Sequence, residues 1–337
     1  MAAGTGIEWA HDSLNPWWGC AQISPACEHC YAKSMARRFE PKAAAWDGTI
    51  VRQPAARIQK HLEHLENART QRRVFVGSMT DLALVAHQDP AGLAAFLSDL
   101  YRVQANRAAH RLHRPPHVFI MLTKRPAKLR AFLDRLVWEE ETMTFRVRTR
   151  AEQLGWPIGR IFPGLYLGVT AESQEQADKR IPELLKMRMA ERFVVSAEPL
   201  LGPLDLQRWL YGAGAKIGWV FVGGETGGRG VPTRPMHPDW PKAIIEHCQE
   251  AGVPVFFKAW GDWVPVRHQN EAEGNPIGAW LGREPHHWLE TTVGAPPAGF
   301  PLMAKIPATK HPADLPAMPT EAPAFPTLEA DHGSTTP

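Results

Sequence analysis

Short apolar runs alternate with helical patterns along the first 262 residues of the chain. Six runs rich in Val, Ile, Leu and Phe end in small, polar or charged residues, which is typical of buried parallel strands that open into polar loops. A shorter seventh candidate strand spans residues 6–9. The predicted strands are 74–81, 117–126, 165–172, 192–199, 219–228 and 253–260, and the predicted helices are 31–39, 57–73, 90–105, 128–137, 174–186 and 241–251.

This alternation predicts an α/β fold, a partial (β/α) TIM-type barrel of six to seven parallel strands with helices outside. Right-handed crossovers bring the carboxyl ends of all the strands to one end of such a barrel. Active sites of barrels lie at that end. We therefore expect the polar residues at the strand ends to meet in one site, within a barrel domain that covers residues 1–262.

Three segments do not follow the repeat. Residues 138–163 form a long connection with clustered charges, and the pattern fits either an extended helix or a small insertion. Its charges indicate either a solvated face or an anion-binding patch. Residues 263–294 are predicted to cap the open end of the barrel. Residues 295–337 contain ten prolines, which predicts a Pro-rich tail that is extended or disordered.

Composition limits the class of protein. Hydrophobic residues make up 44% of the 337 residues and charged residues 22%, so a large core is expected. The net charge of +3 permits an anionic partner without indicating one. We expect no signal peptide and no membrane span, because no basic segment precedes an apolar run at the start and no apolar run reaches about 18 residues. The thirteen tryptophans indicate either packing or stacking surfaces for a ring-containing ligand.

Three of the four cysteines, Cys20, Cys27 and Cys30, lie within eleven residues. Four cysteines without a secretory signal fit a reducing cytoplasm, where clustered thiols more often bind metal than form disulfides. A structural zinc site would need His29 or a distant residue as its fourth ligand. An iron–sulfur cluster would leave one iron open to a small molecule, and plain buried thiols are the third possibility. Because the cysteine loop follows the first predicted strand, it lies at the expected active-site end, which favours a catalytic cluster.

The sequence resembles the radical S-adenosylmethionine superfamily. More closely, it resembles a phage- and bacterium-associated family with a three-cysteine motif and no established activity. The resemblance covers roughly residues 5–262. The matching segments are Asn-Pro-Trp-Trp-Gly-Cys at 15–20, Cys-Glu-His-Cys-Tyr-Ala at 27–32, Val-Gly-Ser-Met-Thr-Asp-Leu at 76–82, Leu-Thr-Lys-Arg-Pro at 122–126, Gly-Val-Thr-Ala-Glu at 168–172, Ser-Ala-Glu-Pro-Leu-Leu-Gly-Pro at 196–203, Val-Gly-Gly-Glu at 222–225, Arg-Pro-Met-His-Pro-Asp-Trp at 234–240 and Phe-Phe-Lys-Ala-Trp-Gly at 256–261.

The resemblance implies that Cys20, Cys27 and Cys30 ligate a 4Fe–4S cluster whose open iron binds S-adenosylmethionine. Reduction would then yield a 5′-deoxyadenosyl radical that abstracts hydrogen from an unidentified substrate, for which a nucleic acid or nucleotide is the favoured class. A flavodoxin- or ferredoxin-like protein would deliver the electron. Two alternatives use the same cysteines: a non-catalytic, zinc-stabilised nucleic-acid-binding protein, and an ordinary barrel enzyme with structural cysteines.

Further candidate site residues end the predicted strands. The candidate cofactor-binding residues are Gly223, Gly224, Glu225, Thr170, Glu172, Ser196 and Lys124, and the candidate catalytic residues are Lys258, Glu198 and Asp81.

Several of these candidates also have a structural alternative. The glycine pair permits close approach of a ligand or forms a tight turn, and Thr170 and Glu172 bind ribose or cap a helix. Glu198 could instead pair with Lys258. The remaining residues considered are Arg125, as a cation at the mouth, Arg234 and His237, as surface-loop residues or substrate contacts, and Cys248, as a buried free thiol.

Overall fold

The computed structural model describes residues 5, 7, 9–40, 46–110, 113–148, 161–211, 217–227, 232–265 and 303–305. The strands are β1 (Asp12–Leu14), β2 (Trp17–Trp18), β3 (Val51–Arg52), β4 (Arg73–Val76), β5 (Val118–Thr123), β6 (Leu136–Glu139), β7 (Thr144–Val147), β8 (Phe162–Thr170), β9 (Ala190–Ala197), β10 (Ile217–Gly223), β11 (Val255–Ala259), β12 (Trp263–Pro265) and β13 (Met303–Lys305). The α-helices are α1 (Tyr31–Phe39), α2 (Ala55–Asn67), α3 (Leu82–Gln88), α4 (Pro90–Ala109), α5 (Pro126–Leu133), α6 (Gln174–Leu184), α7 (Gln207–Leu210) and α8 (Asp239–Glu250).

Seven parallel strands form the central sheet in the order β1-β4-β5-β8-β9-β10-β11. Strand order follows chain order, as expected when each crossover returns the chain to the next position on the sheet. The sheet curls into a half-barrel, so the prediction of a partial (β/α) barrel is confirmed. Strands β1 and β11 are its two edges.

Trp9 fills the concave side of this sheet. Its ring centroid lies 4.8 Å from that of Phe75 on β4 and 4.6 Å from that of Phe221 on β10. Four strand spacings separate β4 from β10, which is about 19 Å in a flat sheet. One indole can contact both phenyl rings only because the sheet curls around it. A second, larger core lies between the convex face and the surrounding helices.

The first strand is not the predicted segment 6–9, whose described residues 7 and 9 lie outside any strand, so that prediction is wrong. Trp9 lies in a turn, and the first strand is Asp12–Leu14. Two of its three residues are polar, so it lacks the apolar run that marks the other strands. Asp12 is nevertheless buried, because its carboxylate pairs with Arg72.

Helix α1 is confirmed, but the four-residue pattern that predicted it does not mark its buried face. Tyr31, Met35 and Phe39 are 45%, 41% and 58% exposed, whereas Ala32 and Ala36 are buried. Alanines four apart lie on one face of a helix, and their small side chains let α1 pack closely against the cysteine loop.

The segment predicted as an extended helix or a small insertion at 138–163 begins with strand structure. Strands β6 and β7 pair as an antiparallel hairpin, and residues 162 and 163 already belong to β8. The extended-helix alternative is therefore wrong over 138–147. Beyond the barrel, β12 pairs with β13. Otherwise, the predicted capping segment and the Pro-rich tail lie outside the described residues.

Candidate functional site

A cavity of about 170 Å³ lies at the carboxyl end of the half-barrel. It is closed on one side by the cysteine loop and on the other by the strand ends. The structure brings together nine of the thirteen sequence-predicted site residues around this cavity: Cys20, Cys27, Cys30, Asp81, Lys124, Thr170, Ser196, Glu198 and Lys258. Glu172, Gly223, Gly224 and Glu225 are not among its lining residues.

The cysteine loop has a defined backbone between β2 and α1. Residues Pro25–Cys27 form a 3-10 turn, with the Cys27 N–H donating to the carbonyl of Ser24 at 2.9 Å. The predicted turn at Ser24-Pro25 is thus confirmed, and Cys30 is the N-cap residue of α1. Gly19, at the start of the loop, has a φ of +114°, and a Cβ at this position would collide with the backbone of Thr49.

Asp81 anchors the strand ends beside this loop. It is 5% exposed, and its Oδ1 accepts hydrogen bonds from the Ala83 amide and the Thr123 hydroxyl. Its Oδ2 accepts from the Lys124 amide at 3.1 Å and from Arg125 Nη1 at 2.8 Å. Four donors therefore satisfy the carboxylate, which holds the loop after β5 against the start of α3.

Arg125 connects that anchor to the thiols. Its Nη2 donates to the carbonyl of Ala21 at 2.7 Å, and its Nη1 lies 4.0 Å from the sulfur of Cys20. Burial opposes the charge of the guanidinium, but the adjacent Asp81 carboxylate raises the pKa of Arg125 above its ordinary value. A permanent cation thus lies next to a thiol at the cavity.

Thr170 and Ser196 supply hydroxyls from adjacent strands. Both are buried and line the cavity, and neither hydroxyl hydrogen-bonds to another described residue. Glu172, two residues past Thr170, is 1% exposed and pairs with Arg180 of α6 at 2.8 Å. Arg180 also donates to the carbonyl of Thr170 at 2.6 Å. Glu172 therefore fixes the end of β8 to its helix.

Glu198 and Lys258 end β9 and β11 on the far side of the cavity. The Lys258 ammonium lies 3.7 Å from Oε2 of Glu198. The sequence predicted this ion pair as the alternative to a catalytic role for Glu198. Oε1 of Glu198 is buried and has no hydrogen-bond partner among the described residues, so one carboxylate oxygen is left to accept from a ligand.

The glycine pair is explained by packing at the ends of β10 and β11. A Cβ on Gly224 would overlap the carbonyl oxygen of Trp260, and one on Gly223 would stand 3.4 Å from the side chain of Glu198. Gly261, opposite, has φ of +87°. Two backbones approach closely here, and this geometry supports the tight-turn interpretation of the pair.

Glu225 contacts protein groups instead of the cavity. It is 4% exposed and accepts hydrogen bonds from the backbone amide and guanidinium of Arg234. The same guanidinium reaches Glu28 at 3.0 Å and the carbonyl of Pro25 at 2.9 Å. His29 Nδ1 also lies 3.0 Å from Glu225. Burial opposes ionisation, yet the hydrogen bonds from Arg234 hold the pKa of Glu225 below its usual value. We call this set of contacts the loop clamp.

The donor chemistry of the cavity fits an iron–sulfur cluster. All four cysteines are free, and the three thiols at the cavity are the ligand type that such clusters take. Burial, and then the charge of Asp81, raise the pKa of Cys20 to about 11. This thiol is therefore protonated at neutral pH unless a metal takes the proton's place.

The spacing of the thiols is not that of a formed metal centre. Within the described residues, no group of three or more His, Cys, Asp or Glu side chains is arranged to hold a metal ion. The cavity is also smaller than the roughly 300–1,000 Å³ of typical ligand pockets. A cluster with its small-molecule ligand would therefore need more room than this cavity has.

Sequence reasoning missed two residues that shape the site. Arg180 lies in the apolar stripe of α6 with Ala177 and Ile181, and a charge at a core position is a signal for a buried partner. Trp46 is buried against the cavity and has a φ of +56°. No sequence motif predicts its position there. Arg234 was considered as a surface-loop residue or a substrate contact, and His29 as a zinc ligand. Cys248 is a buried free thiol, as predicted.

The fold and the site together define an α/β half-barrel protein with a thiol-lined cavity at its carboxyl end. Residues 4–289 match the family model described as "Protein of unknown function (DUF5131)", and the chain belongs to that family. No curated protein and no solved structure matches the chain. In the described part of the chain, no helix is both long and apolar enough to cross a membrane.

Proposed function

We propose that this chain is an iron–sulfur enzyme of the radical S-adenosylmethionine type. The observation that carries the proposal is the convergence of three free thiols with polar side chains from five strand ends on one cavity. Stable packing of a barrel does not require free thiols and polar side chains together at its carboxyl end, which is where active sites lie. The three-cysteine motif and its resemblance to that superfamily point in the same direction.

In this proposal Cys20, Cys27 and Cys30 hold a 4Fe–4S cluster. When bound, the cluster and S-adenosylmethionine supply a 5′-deoxyadenosyl radical, and the protein binds, orients and excludes water. The unpaired hydroxyls of Thr170 and Ser196 suit the ribose.

The charged side chains of the cavity suit the polar ends of the same cofactor. The free oxygen of Glu198 accepts from an ammonium, and Lys258 or Lys124 pairs with a carboxylate. Lys124 has no acidic partner among the described residues, so its charge is available to a ligand.

The aromatic side chains below the strand ends exclude water from the cavity. Trp9, Phe75 and Leu122 form this wall, and Trp46 lines the cavity from the side of the cysteine loop. Radical chemistry needs such a boundary because water and loosely held side chains offer competing reactions. We further propose a nucleic acid or nucleotide as substrate, a flavodoxin- or ferredoxin-like electron donor, and a cytoplasmic location.

The test is anaerobic reconstitution with iron and sulfide, followed by metal analysis and a reductive assay for 5′-deoxyadenosine. We expect a brown protein with about four irons per chain that cleaves S-adenosylmethionine. Cys27→Ala should lose both properties, and Cys248→Ala, which removes the buried thiol of α8, should keep both. A colourless protein with one zinc per chain would refute the proposal and favour a structural metal site.

A further inference from the structure

A second cavity, of about 470 Å³, lies outside the barrel, between the free edge of β1 and helix α2. It is within the size range of ligand pockets in proteins. None of its lining residues lines the cysteine cavity. We call it the edge cavity.

One face of α2 gives the edge cavity a basic side. Arg57, Lys60, His61 and His64 all line it. They fall at intervals of three, four and seven residues, which places them on one face of the helix. Lys60 has no acidic partner among the described residues, and Arg57 only reaches Gln53 at 3.4 Å. Both cations are therefore available to an anion.

Acidic groups do not neutralise this side. The acidic residue that lines the edge cavity is Asp12, and its carboxylate is already paired with Arg72. Nδ2 of Asn15, a further donor on the wall, makes no hydrogen bond to a described residue, while Oδ1 of the same amide accepts from Ser78 and Met79. Asn15 therefore adds an unpaired donor to the cations of α2.

The opposite wall is apolar and aromatic. Leu14 and Trp18, from β1 and β2, line it, and Ile58 of α2 adds an apolar side chain beside the cations. Trp18 is 7% exposed, and its Nε1, like Nε2 of His61, is buried without a hydrogen-bond partner among the described residues. Trp18 also belongs to the packed cluster that contacts Cys20 and Cys30. The edge cavity thus combines an apolar wall with unpaired donors and cations.

We propose that the edge cavity binds a nucleoside monophosphate unit, with the phosphate on Arg57 and Lys60 and the base against the apolar wall. Charged donors in this number suit a phosphate, and an apolar wall that includes an indole suits a ring. The unit could be a free nucleotide or the 5′-phosphorylated end of a nucleic-acid strand, since both present the same chemistry. This site does not depend on the chemistry of the cysteine cavity.

The experiment is titration calorimetry on the full chain without iron, using adenosine 5′-monophosphate, adenosine, inorganic phosphate and a 5′-phosphorylated single-stranded oligonucleotide. We expect the monophosphate to bind more tightly than adenosine or phosphate alone. Arg57→Gln and Lys60→Gln should each weaken it about tenfold, the effect of losing one charged hydrogen bond. Lys179→Gln, which removes an exposed lysine on α6, should leave the affinity unchanged.

Tighter binding of the oligonucleotide than of the monophosphate would identify a strand end as the natural source. No binding of either phosphate ester at millimolar concentration would overturn the proposal. So would affinities that do not respond to Arg57→Gln and Lys60→Gln, provided that both variants unfold at the wild-type temperature. Equal affinity for phosphate and the monophosphate would overturn the role of the apolar wall.

Discussion

At the scale of single residues, Gly224 shows how a motif that suggests cofactor binding can serve packing. The ends of β10 and β11 leave no room for a side chain at this position, because a Cβ would overlap the carbonyl oxygen of Trp260. Gly202, in contrast, has open space where a Cβ would stand. The two glycines therefore make a matched pair for testing the packing explanation.

We expect Gly224→Ala to lower the free energy of unfolding by about 3 kcal/mol, the upper range for overpacking a tight site. Gly202→Ala should change it by less than about 1 kcal/mol. Chemical denaturation of both variants measures the difference. If Gly224→Ala were as stable as the wild type but failed to bind S-adenosylmethionine, the glycine would belong to a cofactor site and our packing explanation would be wrong.

The buried pair of Asp81 and Arg125 leads to a second prediction. Each side chain is 7% exposed, and removing one partner of a buried pair leaves an uncompensated charge, which typically costs about 3–5 kcal/mol. We expect Asp81→Asn to destabilise the protein by about 3 kcal/mol. Asp134→Asn, which breaks a pair between side chains 33% and 46% exposed, should change stability by about 0.5 kcal/mol or less. Thermal unfolding compares them, and similar effects would contradict an anchoring role for Asp81.

Parallel strands end on one side of a sheet, and the rule that their terminal polar residues meet there predicted much of the cavity lining. Asp81, Thr170, Ser196 and Glu198 were placed together because parallel strands end on one side. The rule could not say which polar groups already have partners. Glu225 follows β10 and obeys the same rule, yet its carboxylate is occupied by Arg234, nine residues further on, through a loop whose path the sequence pattern does not determine.

At the scale of secondary structure elements, the large apolar side chains of α1 are not the ones that it buries. The large apolar residues predicted the helix, but the small ones, Ala32 and Ala36, form its contact face. A helix that packs against a short loop needs close approach, and alanine permits it. Hydrophobic periodicity also fails to mark β1. This strand is mostly polar, yet Asp12 is buried in it because the carboxylate pairs with Arg72. Periodicity predicts that an element exists; the size and charge of its neighbours decide which face is buried.

His117, just before β5, links that strand to α2. It is fully buried, its Nδ1 accepts from the Arg72 amide at 3.0 Å, and its Nε2 lies 2.7 Å from the carbonyl of Leu65. Burial lowers the pKa of His117 to about 4, from 6.5 in model compounds. The imidazole is therefore neutral in the folded protein, with Nδ1 as the acceptor.

The folded protein should lose stability as the pH falls from 6.5 towards 4. In that range the unfolded chain binds a proton at His117 and the folded chain does not, so protonation favours unfolding. The full loss corresponds to about 3 kcal/mol. Urea denaturation at pH 7 and pH 4.5 should show a smaller loss in His117→Gln than in the wild type. His87→Gln, at an exposed position on α3, should follow the wild type, and equal pH dependence in all three proteins would refute the assignment.

At the scale of the whole molecule, the half-barrel is open between its edge strands, and the loop clamp spans this opening. The cysteine loop follows the edge strand β1, whereas Glu225 and Arg234 follow β10, beside the other edge. Trp9 joins the two sides from within, through Phe75 and Phe221. The clamp therefore holds the cysteine loop over the strand ends, and its release would give the cavity the additional room that the proposed cluster and its ligand would need.

We expect Arg234→Gln to loosen the cysteine loop without unfolding the barrel. The substitution removes charged hydrogen bonds to Glu225 and Glu28, so amide hydrogen exchange over residues 20–30 should become at least about tenfold faster. Lys242→Gln, which removes an exposed pair on α8 with Glu246, should leave exchange over residues 20–30 unchanged.

The loop clamp should also depend on pH. Because the pKa of Glu225 is depressed, the stabilisation that its carboxylate contributes is complete above its ordinary pKa near 4.5 and is lost as the pH falls below that value. Wild-type exchange in this loop should therefore accelerate only in acid, and unchanged protection in Arg234→Gln at neutral pH would show that the clamp does not hold the loop.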